Sequence, residues 1–273
     1  MQPASPLQEY WFIFQNDHLA FIKNDHDYAL PTSHEAFSAS SLLRKYALGL
    51  LNQATCYCAE IESAAPMPTA ISFIPLRKAF ELLGETRYSM AVKAYSIINW
   101  DKNHQYCGRC AHVTEHQAGR FERLCTACGL SLFPRISPSI IVLIKKADHL
   151  LMARSPHFPP GAYGLIAGFL EAGENIEEAI HREVLEEVGI RIKNLCYFGS
   201  QAWPFPDSLM IAFTADYAAG ELMIDHQEIE MADWYRFDNL PGRPSSSVSI
   251  ARKLIDHFIA EQQSLAGIHH GNL

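Results

Sequence analysis

The 273-residue chain has no stretch approaching the roughly 20 consecutive apolar residues of a membrane span. A membrane-spanning protein is therefore not expected. Positive charge is scarce as well: 22 Lys and Arg stand against 30 Asp and Glu, a net charge of −8. That balance disfavours a general nucleic-acid binder held by phosphate attraction, although a local basic patch stays open. Met1 to Tyr10 has neither a positive start nor an apolar run, so no signal peptide is expected. The cysteines number seven. An odd count without a secretory signal argues against a disulfide framework and for a reducing compartment, in the simplest reading the cytoplasm. Internal repeats and low-complexity tracts are missing too. Charged residues make up only 19%, but 48% of the chain is hydrophobic. This excludes a mainly disordered chain and supplies core for about two domains.

What is present reads in three parts: residues 1–101, 102–135 and 136–273. In the first, Trp11–Phe14 and Leu19–Ile22 flank Gln15–His18 as a hairpin. Ala70–Ile74 reads as a strand, and Pro75 opens a short helix closed by Gly84. A second helix is expected from about Arg87 to Trp100, completing an α+β domain. It holds no catalytic constellation, and packing or dimerisation is its expected role. In the third part, strand-like runs at Ile140–Ile144, His149–Ala153, Tyr163–Ala167, Leu195–Gly199, Leu209–Tyr217 and Met231–Phe237 surround one strong helix, about Ile176 to Val188. A last helix spans about Val248 to Gln262. Many strands with two helices predict an α/β sandwich with a mixed sheet.

The middle segment carries Cys107-Gly108-Arg109-Cys110, fourteen residues, then Cys125-Thr126-Ala127-Cys128. Two-residue spacing lets both thiolates of a pair reach one ion, and four thiolates leave no open position. The pattern predicts one structural Zn²⁺ per chain. A redox C-x-x-C is the competing reading, which the pairing of two such motifs disfavours. Cys56, Cys58 and Cys196 are expected to be ordinary buried cysteines. Lys102, Arg109, Arg120, Arg123 and Arg135 against Glu115 and Glu122 make this segment locally basic.

Residues 171–187 hold seven glutamates, at 171, 174, 177, 178, 183, 186 and 187, with Arg182 the only permanent positive charge among them. Glu183 and Glu187 share a helix face four residues apart, and such like-charge pairs destabilise a helix. Val184, Leu185 and Val188 are expected to anchor this helix to a sheet, so that Glu183, Glu186 and Glu187 project together. Hard divalent cations take such oxygen ligands and relieve the repulsion.

Gly168, five residues, Glu174, seven residues, then Arg182-Glu183-Val184-Leu185-Glu186-Glu187-Val188-Gly189-Ile190 resembles, at every fixed position, the box of the Nudix family. Ser200-Gln201-Ala202-Trp203-Pro204-Phe205-Pro206-Asp207-Ser208 is similar to the signature of the NADH pyrophosphatase subgroup, with Ala202 where that signature carries proline. The four-cysteine ribbon, Phe133-Pro134-Arg135 and Trp100 point the same way. The likeness covers about residues 86–265 well and residues 1–85 loosely.

The resemblance implies a Nudix α/β/α sandwich and Mg²⁺- or Mn²⁺-dependent hydrolysis of the pyrophosphate of NADH or NAD⁺ to NMN(H) and AMP. It also implies removal of NAD caps from RNA 5′ ends, for which the basic ribbon is either a guide or merely a solvated surface. Its implied metal ligands are Glu183, Glu187, Glu228 and the carbonyl of Ala167, with help from Glu186. Arg182 is implied to orient the carboxylates and Glu174 to partner it; the family leaves open which glutamate takes the proton from water, and Glu187 is the first choice. Phe169 and Trp203 are candidates to stack on a base or to pack. Gln201 and Ser208 are candidate polar contacts. Phe133, Ala202, Pro204, Phe205, Pro206, Asp207 and Ala251 complete the implied substrate site. The subgroup further implies a homodimer in which Trp203 or Phe133 reaches the partner's site. Two rival functions stay open. One is a Nudix hydrolase preferring ADP-ribose or dinucleoside polyphosphates. The other is a non-catalytic zinc-ribbon adaptor for nucleic acid.

Overall fold

The computed structural model describes residues 8–24, 27–35, 37, 42–62, 68–244, 247–265 and 267. The chain divides into two units, Met1–Arg135 and Ile136–Leu273. No helix among the described residues is long and apolar enough to cross a membrane.

The first unit opens with β1 (Glu9–Gln15), β2 (His18–Asn24), β3 (Asp27–Ala29), β4 (Leu42–Leu51), β5 (Ala54–Ile61) and β6 (Ile71–Pro75). They form one mixed sheet in the order β3-β2-β1-β5-β4, with β6 on β2. The β1–β2 hairpin turns on Asn16 in the left-handed region, at φ 55°. Pro75 leads into a 3-10 turn over Leu76–Lys78, and α1 (Phe80–Asn103) follows. Gly84, at φ 67° and ψ 171°, breaks α1 where the sequence placed a helix end. A Cβ there would be strained by the left-handed φ. The ribbon then adds β7 (Thr114–His116), β8 (Arg123–Cys125) and β9 (Ser131–Leu132) as a small antiparallel sheet.

A buried charge network joins that ribbon to the rest of the unit. Asp101, at the end of α1, is 2% exposed, and Glu60 of β5 is 4% exposed. Arg44 of β4 donates from Nε to Asp101 at 2.7 Å and pairs with Glu60 through Nη1. Arg123 of the ribbon, itself buried, pairs with Asp101 and donates to the Thr114 hydroxyl at 2.7 Å and carbonyl at 2.6 Å. Lys102 reaches Glu60 at 3.1 Å. The locally basic segment is thus less basic than its composition: Lys102 and Arg123 are neutralised by carboxylates 42 and 22 residues away in sequence.

In the second unit β10 (Ser137–Lys146) and β11 (His149–Arg154) form a hairpin through Ala147, and β12 (Ile166–Phe169) leads to α2 (Ile176–Val188). There follow β13 (Arg191–Trp203), β14 (Ser208–Ala219), β15 (Met231–Arg236) and α3 (Ile250–Leu265). The mixed sheet runs β13-β14-β10-β11-β15, with β12 antiparallel to β10 and β14 parallel to it. Alternation along β10 sends Ile140, Val142 and Ile144 into one core with Ala179, Ile180, Val184 and Val188 of α2. It sends Ile141 and Leu143 into another with Leu254, Ile255 and Phe258 of α3. The result is an α/β/α sandwich, each large buried side chain contributing roughly 1.5–3 kcal/mol.

Two sequence expectations change here. The strands expected at Leu195–Gly199 and Leu209–Tyr217 run further, to Trp203 and from Ser208. Trp203 pairs with Ser208 and Gln201 with Met210 in the β13–β14 ladder, so only Pro204–Asp207 turn the chain. The prolines fall at the turn, where no ladder donor is lost. Cys196 is exposed rather than buried, because β13 is an edge strand with register shifts on either side of it, whereas Cys56 and Cys58 are buried.

Candidate active site

The acidic helix is held from both ends. Asn175 caps α2: its side chain accepts from the Glu178 N–H at 2.9 Å, and Glu178 accepts from the Asn175 N–H at 3.1 Å. Such a cap contributes about 1 kcal/mol. Gly189, at φ 71°, closes the other end. Val184 and Val188 anchor α2 in the core, but Leu185, expected as a third anchor, is 53% exposed.

Gly168, on β12, faces α2. A Cβ there would lie 2.0 Å from the Glu183 carboxyl, so only glycine lets that carboxylate lie on the β12 backbone. The backbone is fixed from behind by pairing with Ile140 and by the Ser139 hydroxyl, which donates to the Gly168 carbonyl at 2.8 Å.

Arg182 spends its donors on the surrounding acids. Nε and Nη2 donate to the two oxygens of Glu174 at 2.7 and 2.9 Å. Nη1 donates to Glu183 at 2.9 Å and to Glu186 at 3.0 Å, and Nη2 to the Phe169 carbonyl at 3.0 Å. The forked contact holds the Glu174 carboxyl down at about 2, helped by the Glu171 N–H.

Glu183, Glu187 and Glu228 bring one carboxylate oxygen each within 4.8 Å of one another. Glu186 stands outside that group, with its side chain 60% exposed and turned to Arg182. Burial raises the Glu183 carboxyl. Burial, and then the charges of Glu183, Glu228, Asp225 and Glu186, push Glu187 up to about 8. Oε2 of Glu187 is buried without a hydrogen-bond partner. An uncompensated buried acceptor is costly. Three converging hard oxygens, one of them orphaned, suit a divalent cation of the Mg²⁺ type. Asp225, which the sequence reading did not single out, faces the same acidic cavity of about 710 Å³ and donates its N–H to the Glu187 carbonyl at 3.0 Å. Its proximity to the glutamates is a tertiary effect that no spacing rule encodes.

Ala167 and Gly168 line this acidic cavity, and Ala167 also lines a second, apolar cleft of about 340 Å³. Its walls include Trp203, Tyr163, Phe158, Ile141, Met210 and Ile250, with Ala251 at the start of α3. The volume suits a nucleoside-sized group. Phe158, Tyr163, Ile141 and Met210 were not foreseen, since apolar residues on strands and loops carry no chemical signal in sequence.

Other expected contacts fall elsewhere. Gln201 lines the cleft, but its amide donates to the Val248 carbonyl at 2.7 Å and accepts from the Ile250 N–H at 2.8 Å, so it ties β13 to α3. Ala202, Pro204, Phe205, Pro206, Asp207 and Ser208 do not line the cleft. Strand alternation turns Ala202 to the opposite face from Gln201 and Trp203. The Phe205 ring packs edge-on against Trp203 at 5.4 Å. Asp207 accepts from the Ser137 hydroxyl at 2.9 Å, and Ser208 is buried. Phe169 is half exposed at the rim of the acidic cavity. Phe133 is exposed and belongs to the first unit.

In the ribbon, the sulfurs of Cys107, Cys110, Cys125 and Cys128 lie within 4.8 Å of one another, with Cys107 and Cys128 at 3.6 Å and Cys110 and Cys125 at 3.5 Å. A tetrahedron of roughly 2.3 Å Zn–S bonds sets sulfurs about 3.8 Å apart, so the four fit one Zn²⁺. The Arg109 N–H points at the Cys107 sulfur at 3.4 Å, as a thiolate knuckle requires.

Comparison with known proteins agrees with this geometry. Residues 134–258 match the NUDIX domain, residues 8–100 the NADH pyrophosphatase-like rudimentary NUDIX domain, and residues 102–133 the NADH pyrophosphatase zinc ribbon domain. A protein of Chromobacterium violaceum named NAD-capped RNA hydrolase NudC is 39% identical over 256 residues, covering 94% of this chain and 94% of its own. One of the same name from Pseudomonas aeruginosa is 40% identical over 249 residues, covering 90% of this chain and 88% of its own.

Proposed function

The chain belongs to the Nudix hydrolase family, and from that membership we propose that it hydrolyses the pyrophosphate of NADH and NAD⁺ to NMN(H) and AMP. We extend the proposal to NAD-capped RNA, giving NMN and 5′-monophosphate RNA, because relatives that match along about nine-tenths of the chain are named NAD-capped RNA hydrolases. The observation that carries the reading is the junction at Ala167, where a carboxylate cavity opens beside an apolar cleft of nucleoside size. A nucleotide seated in the cleft presents its phosphates to the carboxylates.

Glu183, Glu187 and Glu228, with the Ala167 carbonyl, would hold Mg²⁺ or Mn²⁺. Once bound, such ions neutralise pyrophosphate charge and activate water. Arg182 and Glu174 keep the Glu183 carboxylate aimed while repulsion from its neighbours works to displace it. Glu187, whose carboxyl the bound ions would hold deprotonated, is the first choice to take the proton of the attacking water. Trp203 stacks on the base within the cleft, and Phe169 stacks at the rim. Gln201 acts at one remove, by setting the first turn of α3 and hence Ala251. Asp207, Phe205 and the two prolines support the turn that presents Trp203. One structural Zn²⁺ sits in the four-cysteine ribbon. We infer a homodimer, in which Phe133 of one protomer or Trp203 adds to the other's site.

Turnover of NADH, NAD⁺, ADP-ribose and NAD-capped RNA with Mg²⁺ or Mn²⁺, with products identified, tests the reading. NMN(H) and AMP from the dinucleotides support it. Faster cleavage of ADP-ribose than of NADH, or no hydrolysis at all, overturns it.

A further inference from the structure

Arg154 lines neither cavity, yet it contacts the segments that shape both. It ends β11 with its side chain 14% exposed. Nη1 donates to the Phe158 carbonyl at 3.1 Å and to the Pro159 carbonyl at 2.8 Å. Nε pairs with Glu230 at 2.9 Å, and the Glu230 N–H donates to the Arg154 carbonyl at 2.8 Å. Glu230 follows Glu228 by two residues.

The segment from Ser155 to Ala162 contributes Phe158, Pro159 and Ala162 to the apolar cleft. Pro156, Pro159 and Pro160 deprive it of three backbone donors. Its own backbone bonds are two local turns, Phe158 N–H to the Ser155 carbonyl and Ala162 N–H to the Pro159 carbonyl, both at 3.0 Å. Neither turn fixes the segment against the sheet. The Phe158 ring lies against Gly164, where a Cβ would come within 3.1 Å of it. Just beyond the segment Gly164 pairs with Ala153 of β11, at 2.8 and 3.0 Å, so the ends are tied to the sheet and Arg154 anchors the carbonyls between them.

We propose that Arg154 is a positioning residue that clamps the proline-rich segment over the apolar cleft and so sets the affinity of that cleft for a nucleotide. The inference rests on the proposed reading only in taking a nucleotide as the occupant. The guanidinium supplies what the prolines cannot: donors anchored on a strand and aimed at two consecutive carbonyls. Glu230 holds the guanidinium in that orientation from the other side, so the clamp also spans to the loop that carries Glu228.

The test uses the full chain as wild type, Arg154→Met and Arg154→Lys. Losing two hydrogen bonds to the segment predicts roughly a tenfold weaker occupant. In Arg154→Met, KM for NADH should rise by about that factor while kcat stays within about threefold. Calorimetric affinity for AMP, without added divalent metal, should fall alike. Arg154→Lys keeps a charged donor and should recover part of the loss. Unchanged KM and AMP affinity in Arg154→Met overturns the proposal. So does a kcat that falls with KM unmoved, which would mark a general loss of folded enzyme. Should wild type fail to hydrolyse NADH, the proposed function fails, and AMP affinity alone still decides on Arg154.

Discussion

Replacing Gly168 by alanine adds one methyl group at the tightest point of the acidic cavity. The new Cβ would stand 2.0 Å from the Glu183 carboxyl, and real contacts of this kind are not found below 3.0 Å. Something must therefore move by at least about 1 Å. The backbone cannot retreat easily, because β12 is paired with β10 and the Gly168 carbonyl accepts the Ser139 hydroxyl. Gly168 does not occupy the left-handed region, so no backbone strain complicates the substitution. The displaced group is thus the Glu183 carboxylate, which leaves its Arg182 contact and its place beside Glu187 and Glu228. A misplacement of about 1 Å in a positioned group can cost roughly 10²-fold in rate, and overpacking costs about 1–3 kcal/mol of stability. The assay is kcat/KM for NADH across a Mg²⁺ titration, alongside a melting curve. The expected variant is folded, a few degrees less stable, about a hundredfold slower and in need of more metal. Wild-type kcat/KM at wild-type metal concentration would refute the reasoning, because Glu183 would then be free to move without consequence.

Glu187→Gln should abolish hydrolysis and leave the fold intact. Without added Mg²⁺ or Mn²⁺, wild-type stability should also fall as pH rises from about 5 to 8. Glu187 titrates near 8 when folded and near 4.3 when unfolded, so the native state holds the extra proton across that window. The glutamine variant should lack this component of the slope in melting temperature against pH. Metal analysis should find one zinc per chain, and Cys110→Ser should lose it and lower the melting temperature. A zinc-free protein that melts like wild type would contradict the assignment. Trp203→Ala should cost about 1–3 kcal/mol in kcat/KM for NADH and less for ADP-ribose. An equal loss on both substrates would make Trp203 a structural prop.

The acidic helix was legible from sequence down to its bounds, because a cap, a period and a terminal glycine all lie within one short window. The four cysteines were legible for the same reason: both halves of the site are local pairs. The strands on either side of the signature segment were read too short, because two prolines and a run of aromatics look like a loop. Its strands are set by pairing between β13 and β14, and cross-strand register is not written in either strand alone. The effective charge of the ribbon was not legible, because counting charges within a segment ignores carboxylates that the fold brings from Glu60 and Asp101. Asp225 and Phe158 were missed since each acquires meaning only through neighbours distant in sequence.

The Arg44–Asp101–Arg123 network bears on how this chain can vary over evolutionary time. Asp101 faces two guanidiniums from different structural elements, and Glu60 shares one of them. Replacing Asp101 alone strands the buried Arg123 charge, at a cost of about 3–5 kcal/mol, whereas exchanging the whole set for apolar residues can be neutral. These positions should therefore drift as a block, inherited or replaced together. The ribbon is correspondingly a poor cassette: begun at residue 102, it would carry Arg123 with the carboxylate that neutralises it left behind.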